Sequence, residues 1–312
     1  MTRLWLAMFI LLVASLATGA AGFGVPDWLI LWQIRLPRTL LAALVGGGLG
    51  VSGAVLQGVL RNPLADPGLL GIGGCAAFGA VIAFYWGIST IFPPALPLSA
   101  LLGAVCGCAL LLGALGRHVS GTALILGGIA LSAFASAALA LALSLAPNPF
   151  ALAEITFWLM GGLEDRTLQH LELATPVIVA GMALLLRLGP RLDALSLGEA
   201  TAATLGVPIG RTLRLAAIGV ALAVGGGAAV AGGIGFVGLV VPHLLRPSFG
   251  QRPAVLLWPS LAGGACLLLA ADLLARLAPM ILPLQAEPRL GVLTALLGAP
   301  FLVRIARQTA AG

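Results

Sequence analysis

Residues 39–60 read TLLAALVGGGLGVSGAVLQGVL, twenty-two consecutive positions without a single charge. At 1.5 Å of rise per residue such a run, as a helix, spans the roughly 30 Å of a bilayer's hydrocarbon core. Comparable runs occupy Leu4 to Gly22, Leu98 to Gly116, Thr122 to Ala146, Leu171 to Arg187 and Val255 to Leu274. Apolar residues make up 60% of the 312 positions and charged residues 8%, so lipid is the solvent for most of the chain. Lipid leaves backbone polar groups nowhere to bond except within a helix or a closed barrel, and no alternating barrel pattern is present. The sequence therefore predicts an all-α integral membrane protein, one transmembrane domain over 1–312.

Reading outward from residues 39–60 gives about ten crossings, near 4–22, 38–60, 70–87, 97–116, 122–146, 169–187, 212–232, 234–246, 254–277 and 290–306. The first follows Arg3 and resembles a secretory signal, but its length and the hydrophobic segment close behind it favour a retained span. The eighth is short and interrupted by Pro242, as expected of a partial crossing packed inside protein.

Charge asymmetry supplies an orientation. With both termini cytoplasmic, Arg3, Arg61, Arg117, Arg187, Arg191, Arg211, Arg214, Arg246, Arg252, Arg304 and Arg307 lie inside, and Arg35, Arg38, Arg166, Arg276 and Arg289 outside. Eleven against five follows the positive-inside rule.

All sixteen basic residues are arginine. A phosphate-cradling P-loop requires lysine after its glycines, so Gly46 to Gly50 and Gly225 to Gly227 are not nucleotide sites of that type. If ATP drives this protein, another polypeptide binds it. Cys75, Cys106, Cys108 and Cys266 fall in apolar segments and read as small buried hydrophobes. His118, His170 and His243 are not neighbours in this topology, and no metal site is expected. Lipid is the surrounding partner and nucleic acid is not an expected one.

Small residues recur every fourth position at Gly128, Ser132, Ser136 and Ala140, and at Ala221, Gly225, Ala229 and Gly233, the pattern of closely packed helices. Ionisable residues are almost absent from the spans, whereas a gradient-driven transporter would place them at mid-membrane. Asp272, four residues before Arg276 on one helix face, is the clear exception. A weakly polar pathway suits a large substrate passed through with energy from outside the membrane; a gradient-driven transporter and a non-transporting scaffold are the rivals.

The long connection near 190–212 contains Ser196-Leu197-Gly198-Glu199-Ala200, followed by Leu205-Gly206-Val207-Pro208. Ser196 and Glu199 have capping-box spacing, and Gly206 with Pro208 supplies a stop. The reading is a short helix on the cytoplasmic face, either a plain surface helix or a docking element for a motor subunit.

Five motifs then make a family visible. Arg35-Leu36-Pro37-Arg38; Gly53-Ala54-Val55-Leu56-Gln57 with Arg61-Asn62-Pro63-Leu64-Ala65-Asp66-Pro67-Gly68-Leu69-Leu70-Gly71; Leu197-Gly198-Glu199 to Leu205-Gly206; Gly235-Phe236-Val237-Gly238-Leu239-Val240-Val241-Pro242-His243; and Gly291-Val292-Leu293-Thr294-Ala295-Leu296-Leu297-Gly298-Ala299-Pro300 together resemble the FecCD permease family. That family comprises membrane subunits of ABC importers for ferric siderophores, haem and vitamin B12.

The resemblance implies a type II importer permease fold of ten helices and a dimer around a central pathway. It also implies two cytoplasmic ATPases that carry ATP and Mg, and a periplasmic binding protein, in the bacterial inner membrane. The chain itself would bind no cofactor and catalyse nothing. By resemblance, Ser196, Leu197, Gly198, Glu199, Ala200, Leu205 and Gly206 form the coupling element, and Arg35, Arg38 and Arg276 receive acidic residues of the binding protein. A cytoplasmic gate maps to Gly74, Gly121 and Thr122. Gly73-Gly74-Cys75 stands where members commonly carry a polar residue, so polar gate contacts do not carry over. Glu287-Pro288-Arg289 replaces the family's usual Glu-Leu-Pro.

Overall fold

The computed structural model of the chain describes residues 1–19, 22–23, 27–92, 94–116, 119–146, 149–284 and 286–310. Arg117 and His118, assigned above to the cytoplasmic side, lie outside the described residues. In order, the helices are α1 (Thr2–Ala17), α2 (Leu36–Val59), α3 (Ile72–Tyr85), α4 (Ala95–Leu115), α5 (Gly121–Ser144), α6 (Pro149–Leu159) and α7 (Leu168–Leu186). They continue with α8 (Gly189–Ser196), α9 (Glu199–Thr204), α10 (Ile209–Ala231), α11 (Val237–Phe249), α12 (Pro253–Ile281) and α13 (Leu290–Ala310).

Each expected crossing contains a helix, although the first ends at Ala17, where Thr18–Gly19 pairs antiparallel with Gly22–Phe23. Six segments are long and apolar enough to span a bilayer: Trp28–Val59, which includes α2, and α4, α5, α7, α10 and α12. Thr2–Ala17, Ile72–Tyr85 and Leu290–Val303 are shorter apolar helices. The eighth segment, α11, has 13 residues and contains Pro242 and Pro247. It covers only about 20 Å at 1.5 Å per residue. Its approach is irregular, with Gly232 and Phe236 at φ of 68° and 67°, and its first turns from Val237 to Pro242 are buried. Gly232 is buried, whereas Gly233 and Gly235 are exposed and line a cavity of about 210 Å³, the setting in which non-helical backbone within a membrane protein is tolerated.

α2 forms the axis, with 83% of its apolar window buried, against 17% for α5 and 28% for α4 and α7. Small residues produce that burial. A β-carbon on Gly46 or Gly50 of α2 would collide with the carbonyl of Gly264 or Ser260 on α12, and one on Gly264 with that of Gly46. In hydrocarbon no hydrophobic force drives helices together, so backbone proximity and dispersion must hold this contact.

Of the two small-residue faces expected above, Gly225 meets Ala104 on α4, and Gly128 meets the Leu69 carbonyl. Ser136 and Ala140, at the far end of the first face, are exposed. The outer layer of α4, α5 and α7 is thus left to lipid or to another chain.

Candidate functional site

At one end of the bundle a buried ionic cluster joins α1, α2 and α12. Asp272 on α12 is completely buried. It accepts from Arg38 Nε at 2.8 Å and from Arg276 Nε at 2.8 Å, while Arg38 Nη2 reaches Glu287 at 2.6 Å. Arg276 also donates to the carbonyls of Ser15 and Thr18 at 2.9 and 3.1 Å and to the Ser15 hydroxyl at 2.9 Å. Thr39 closes the set through a 2.7 Å bond with Ser15. Two guanidiniums face two carboxylates, so the cluster is charge-balanced and its hydrogen-bonding groups are matched.

This geometry corrects one expectation. Arg276 is 4% exposed, and its donors are committed to Asp272 and α1, so it does not present itself to an external protein. Arg35 and Arg38 are half-buried at the same end, Arg35 donating to the Leu16 carbonyl at 2.9 Å. The Arg276–Asp272 pair was legible as an i,i+4 spacing, but Arg38 and Glu287 are joined to it only by the fold.

A second polar knot fixes the quoted motifs to each other. Gln57 Oε1 on α2 accepts from Arg246 of α11 at 2.7 Å. Its amide nitrogen faces the carbonyls of Ala65, Gly238 and Leu239 at 3.3 to 3.4 Å. Asp66 accepts from Gly68 N at 2.8 Å and so starts the 3-10 turn Pro67–Leu70. That turn lies against Gly128 of α5, so the connection after α2 folds back between helices instead of running over the surface.

The proposed gate set is divided by the structure. Gly74 approaches Ala135 on α5, whereas Gly121 begins that helix near Leu60, capped by Ser120. Fourteen positions separate Ala135 from Gly121, about 21 Å along a helix. Gly74 therefore does not join Gly121 and Thr122 in one constriction, because α3 starts deep in the bundle after the 3-10 turn.

At the opposite end from the ionic cluster, the 190–212 connection forms two helices, α8 and α9. Ser196 is not an N-cap: it ends α8, and its hydroxyl donates to the Asp193 carbonyl at 2.6 Å. The N-cap of α9 is Gly198 at φ 106°, a left-handed conformation that forces the elbow and disfavours a side chain. Glu199 opens α9, where an anion complements the helix dipole. Gly206, at φ 77°, ends the element as expected.

Leu197 and Leu205 flank α9 and are 65% and 61% exposed. Sequence reasoning missed Asp193, which fastens this elbow to α12 by accepting from Arg252 at 2.7 Å and from the Ala254 amide at 2.9 Å. No local spacing signals a partner sixty residues away in the chain.

His243 packs edge-on against Phe301 at 5.5 Å, and no group of three His, Cys, Asp or Glu with metal-binding proximity occurs among the described residues.

A helical bundle with a short eighth helix entered through irregular backbone, a buried charge cluster at one end and an exposed elbow at the other defines a multi-pass membrane protein. The chain belongs to the FecCD transport family, whose model matches residues 4–308. It is 38% identical over 306 residues to the vitamin B12 import system permease protein BtuC of Klebsiella pneumoniae subsp. pneumoniae, covering 96% of this chain and 91% of that one. It is also 38% identical over 317 residues to the protein of the same description from Salmonella typhi, covering 98% and 95%.

Among solved structures, an inward-facing conformation of a metal-chelate type ABC transporter superposes with a TM-score of 0.88 at 33% identity over 98% of each chain. PsaBC from Streptococcus pneumoniae, at 18% identity and a TM-score of 0.56, shares the fold. The chain is an ABC importer permease.

Proposed function

We propose that the chain forms the translocation pathway of a binding-protein-dependent importer for a metal chelate or corrinoid, as a dimer in the bacterial inner membrane. Its termini are cytoplasmic in this reading. A cytoplasmic ATPase on each copy supplies ATP and Mg chemistry and engages the α8–α9 elbow. A periplasmic binding protein docks at the opposite end, near Arg35 and Arg38.

The observation that carries the elbow assignment is the pair of exposed leucines, Leu197 and Leu205, beside α9. Large apolar side chains at an aqueous end, rimmed by polar groups, are what an interface covers. Corrinoid import is supported by the named relatives and metal-chelate import by the superposed structure.

The test is chelate uptake by the reconstituted chain with its ATPase and binding protein after ion gradients are collapsed. ATP-dependent uptake that survives the collapse is expected. Uptake that needs the gradient but not ATP would establish the rival, a secondary transporter.

A further inference from the structure

A chamber of about 260 Å³ opens beside α6 and the start of α13, with Phe84, Glu154, Phe157, Trp158, Arg166 and Arg289 among its walls. Two of these residues are already accounted for. Arg289 donates to Glu164 at 2.7 Å, and its guanidinium lies 5.2 Å from the centre of the Phe157 ring. Glu154 and Asp165 are exposed carboxylates that water solvates.

Arg166 and Trp158 are different. The Nε of Arg166 and the Nε1 of Trp158 are both buried and meet no acceptor among the described residues. Arg38, Arg276 and Arg289 each form a salt bridge, and Arg166 forms none among the described residues. Among the described residues its one side-chain hydrogen-bond partner is His170, at 3.3 Å. Burial also pushes the Arg166 guanidinium below its ordinary range, with Asp165 and Glu164 opposing that shift.

Guanidinium and indole nitrogens are donors only, so an acceptor oxygen is the chemistry that completes this wall. Glu164 turns its Oε2 to Arg289 and makes no hydrogen bond or salt bridge to Arg166 among the described residues. Phe84, Phe157 and Trp158 add aromatic faces. The volume is too small for a whole chelate and suits one substituent of it. Trp158 also lines a second cavity of about 210 Å³, bounded by Val45, Leu49, Asp66 and the irregular residues Gly232 to Phe236. The chamber is thus one side chain away from the bundle interior.

We propose that this chamber is a binding subsite for a carboxylate or phosphate group, held by the Arg166 guanidinium and the Trp158 indole N–H. The subsite lies at the end where the binding protein docks, and it rests on the permease reading above. The oxygen group belongs either to the arriving chelate or to a phospholipid headgroup, since this chamber sits at the end of the spanning helices.

The permease dimer in phosphatidylcholine nanodiscs is titrated with three probes: haem, which carries two propionates; haem dimethyl ester, which carries none as anions; and cyanocobalamin, which carries a phosphate. Arg166→Gln removes the charge and Trp158→Phe keeps the ring without the donor. Loss of a charge-assisted bond of this kind is expected to weaken binding about tenfold or more. Binding of haem or cyanocobalamin that Arg166→Gln weakens to this degree, that Trp158→Phe weakens less, and, for haem, that esterification weakens likewise, supports the subsite and assigns the group to the chelate. In nanodiscs containing phosphatidylglycerol, retention of that lipid through purification by wild type but not by Arg166→Gln supports the subsite and assigns the group to lipid. If neither probe binding nor lipid retention depends on Arg166 and Trp158, the subsite is overturned. ATP-driven uptake by the wild-type complex is measured in parallel, so a failure of the permease reading is recognised separately.

Discussion

The guanidinium of Arg38 donates to the carboxylate of Asp272 at 2.8 Å, joining two residues 234 positions apart. One buried carboxylate here serves two arginines. Replacing Asp272 with Asn leaves both guanidiniums short of countercharge, and breaking a buried pair typically costs about 3–5 kcal/mol. Asp272→Asn should therefore show a large loss of thermal stability in detergent. The triple change Arg38→Met, Asp272→Leu, Arg276→Met removes every uncompensated charge but that of Glu287, which is part-exposed, and should recover much of the loss. Equal instability of both variants would mean that packing, not charge balance, holds this end together.

The α2–α12 contact depends on missing side chains. Gly50→Ala places a methyl group against the Ser260 carbonyl, whereas Gly235→Ala adds one where nothing lies within 4 Å. Overpacking costs about 1–3 kcal/mol, so the first variant should lower the melting temperature clearly and the second should not. Thermal unfolding of the two in the same detergent distinguishes them.

How much of this was legible in the sequence follows from the solvent. Lipid penalises every unpaired backbone group and every charge, so the ten expected crossings stand out as apolar runs poor in charge, and α2 is readable from residues 39–60 alone. The eighth segment's shortness is readable, but the helix runs on through Pro242 and the irregular backbone lies before it, at Gly232 to Phe236. The elbow was seen but its cap was misassigned, because Ser196 bonds back to the Asp193 carbonyl and Gly198 takes a positive φ. Arg276 was placed outside by charge asymmetry, which reports membrane side and not burial. Arg38 with Glu287, and Asp193 with Ala254, are products of tertiary packing and leave no periodic trace.

Asp193 ties the elbow to the first turn of α12. Asp193→Ala should free the Ala254 amide, and hydrogen exchange there should speed up by about fivefold, the order expected when a helix-terminus bond worth roughly 1 kcal/mol is lost. Asp193→Asn keeps an acceptor for that amide and should restore most of the protection. If Ala254 exchanges at the wild-type rate in the alanine variant, the elbow is held by apolar packing alone.

Burial raises the Asp66 carboxyl above its ordinary range, against the lowering effect of the Gly68 and Leu239 amides. A raised carboxyl favours the protonated form in the folded state. Its stabilising contribution is therefore present at low pH and is lost as pH rises through the raised value. Asp66→Asn keeps the acceptor for Gly68 and cannot ionise. Relative to wild type it should gain stability as pH increases from about 4 to 7, measured by thermal unfolding across that range. A difference that is flat or runs the other way would contradict the assignment.

The proposed placement of two partners at opposite ends, the ATPase on the α8–α9 elbow and the binding protein near Arg35 and Arg38, is tested most directly by sidedness in sealed proteoliposomes. ATP hydrolysis is measured with the substrate-loaded binding protein enclosed or added outside, using wild type and a Leu197→Ser/Leu205→Ser variant. The account predicts stimulated hydrolysis when ATP and binding protein are on opposite sides of the membrane, and loss of that stimulation in the double variant. Stimulation with both on the same side, or full stimulation in the double variant, would contradict it.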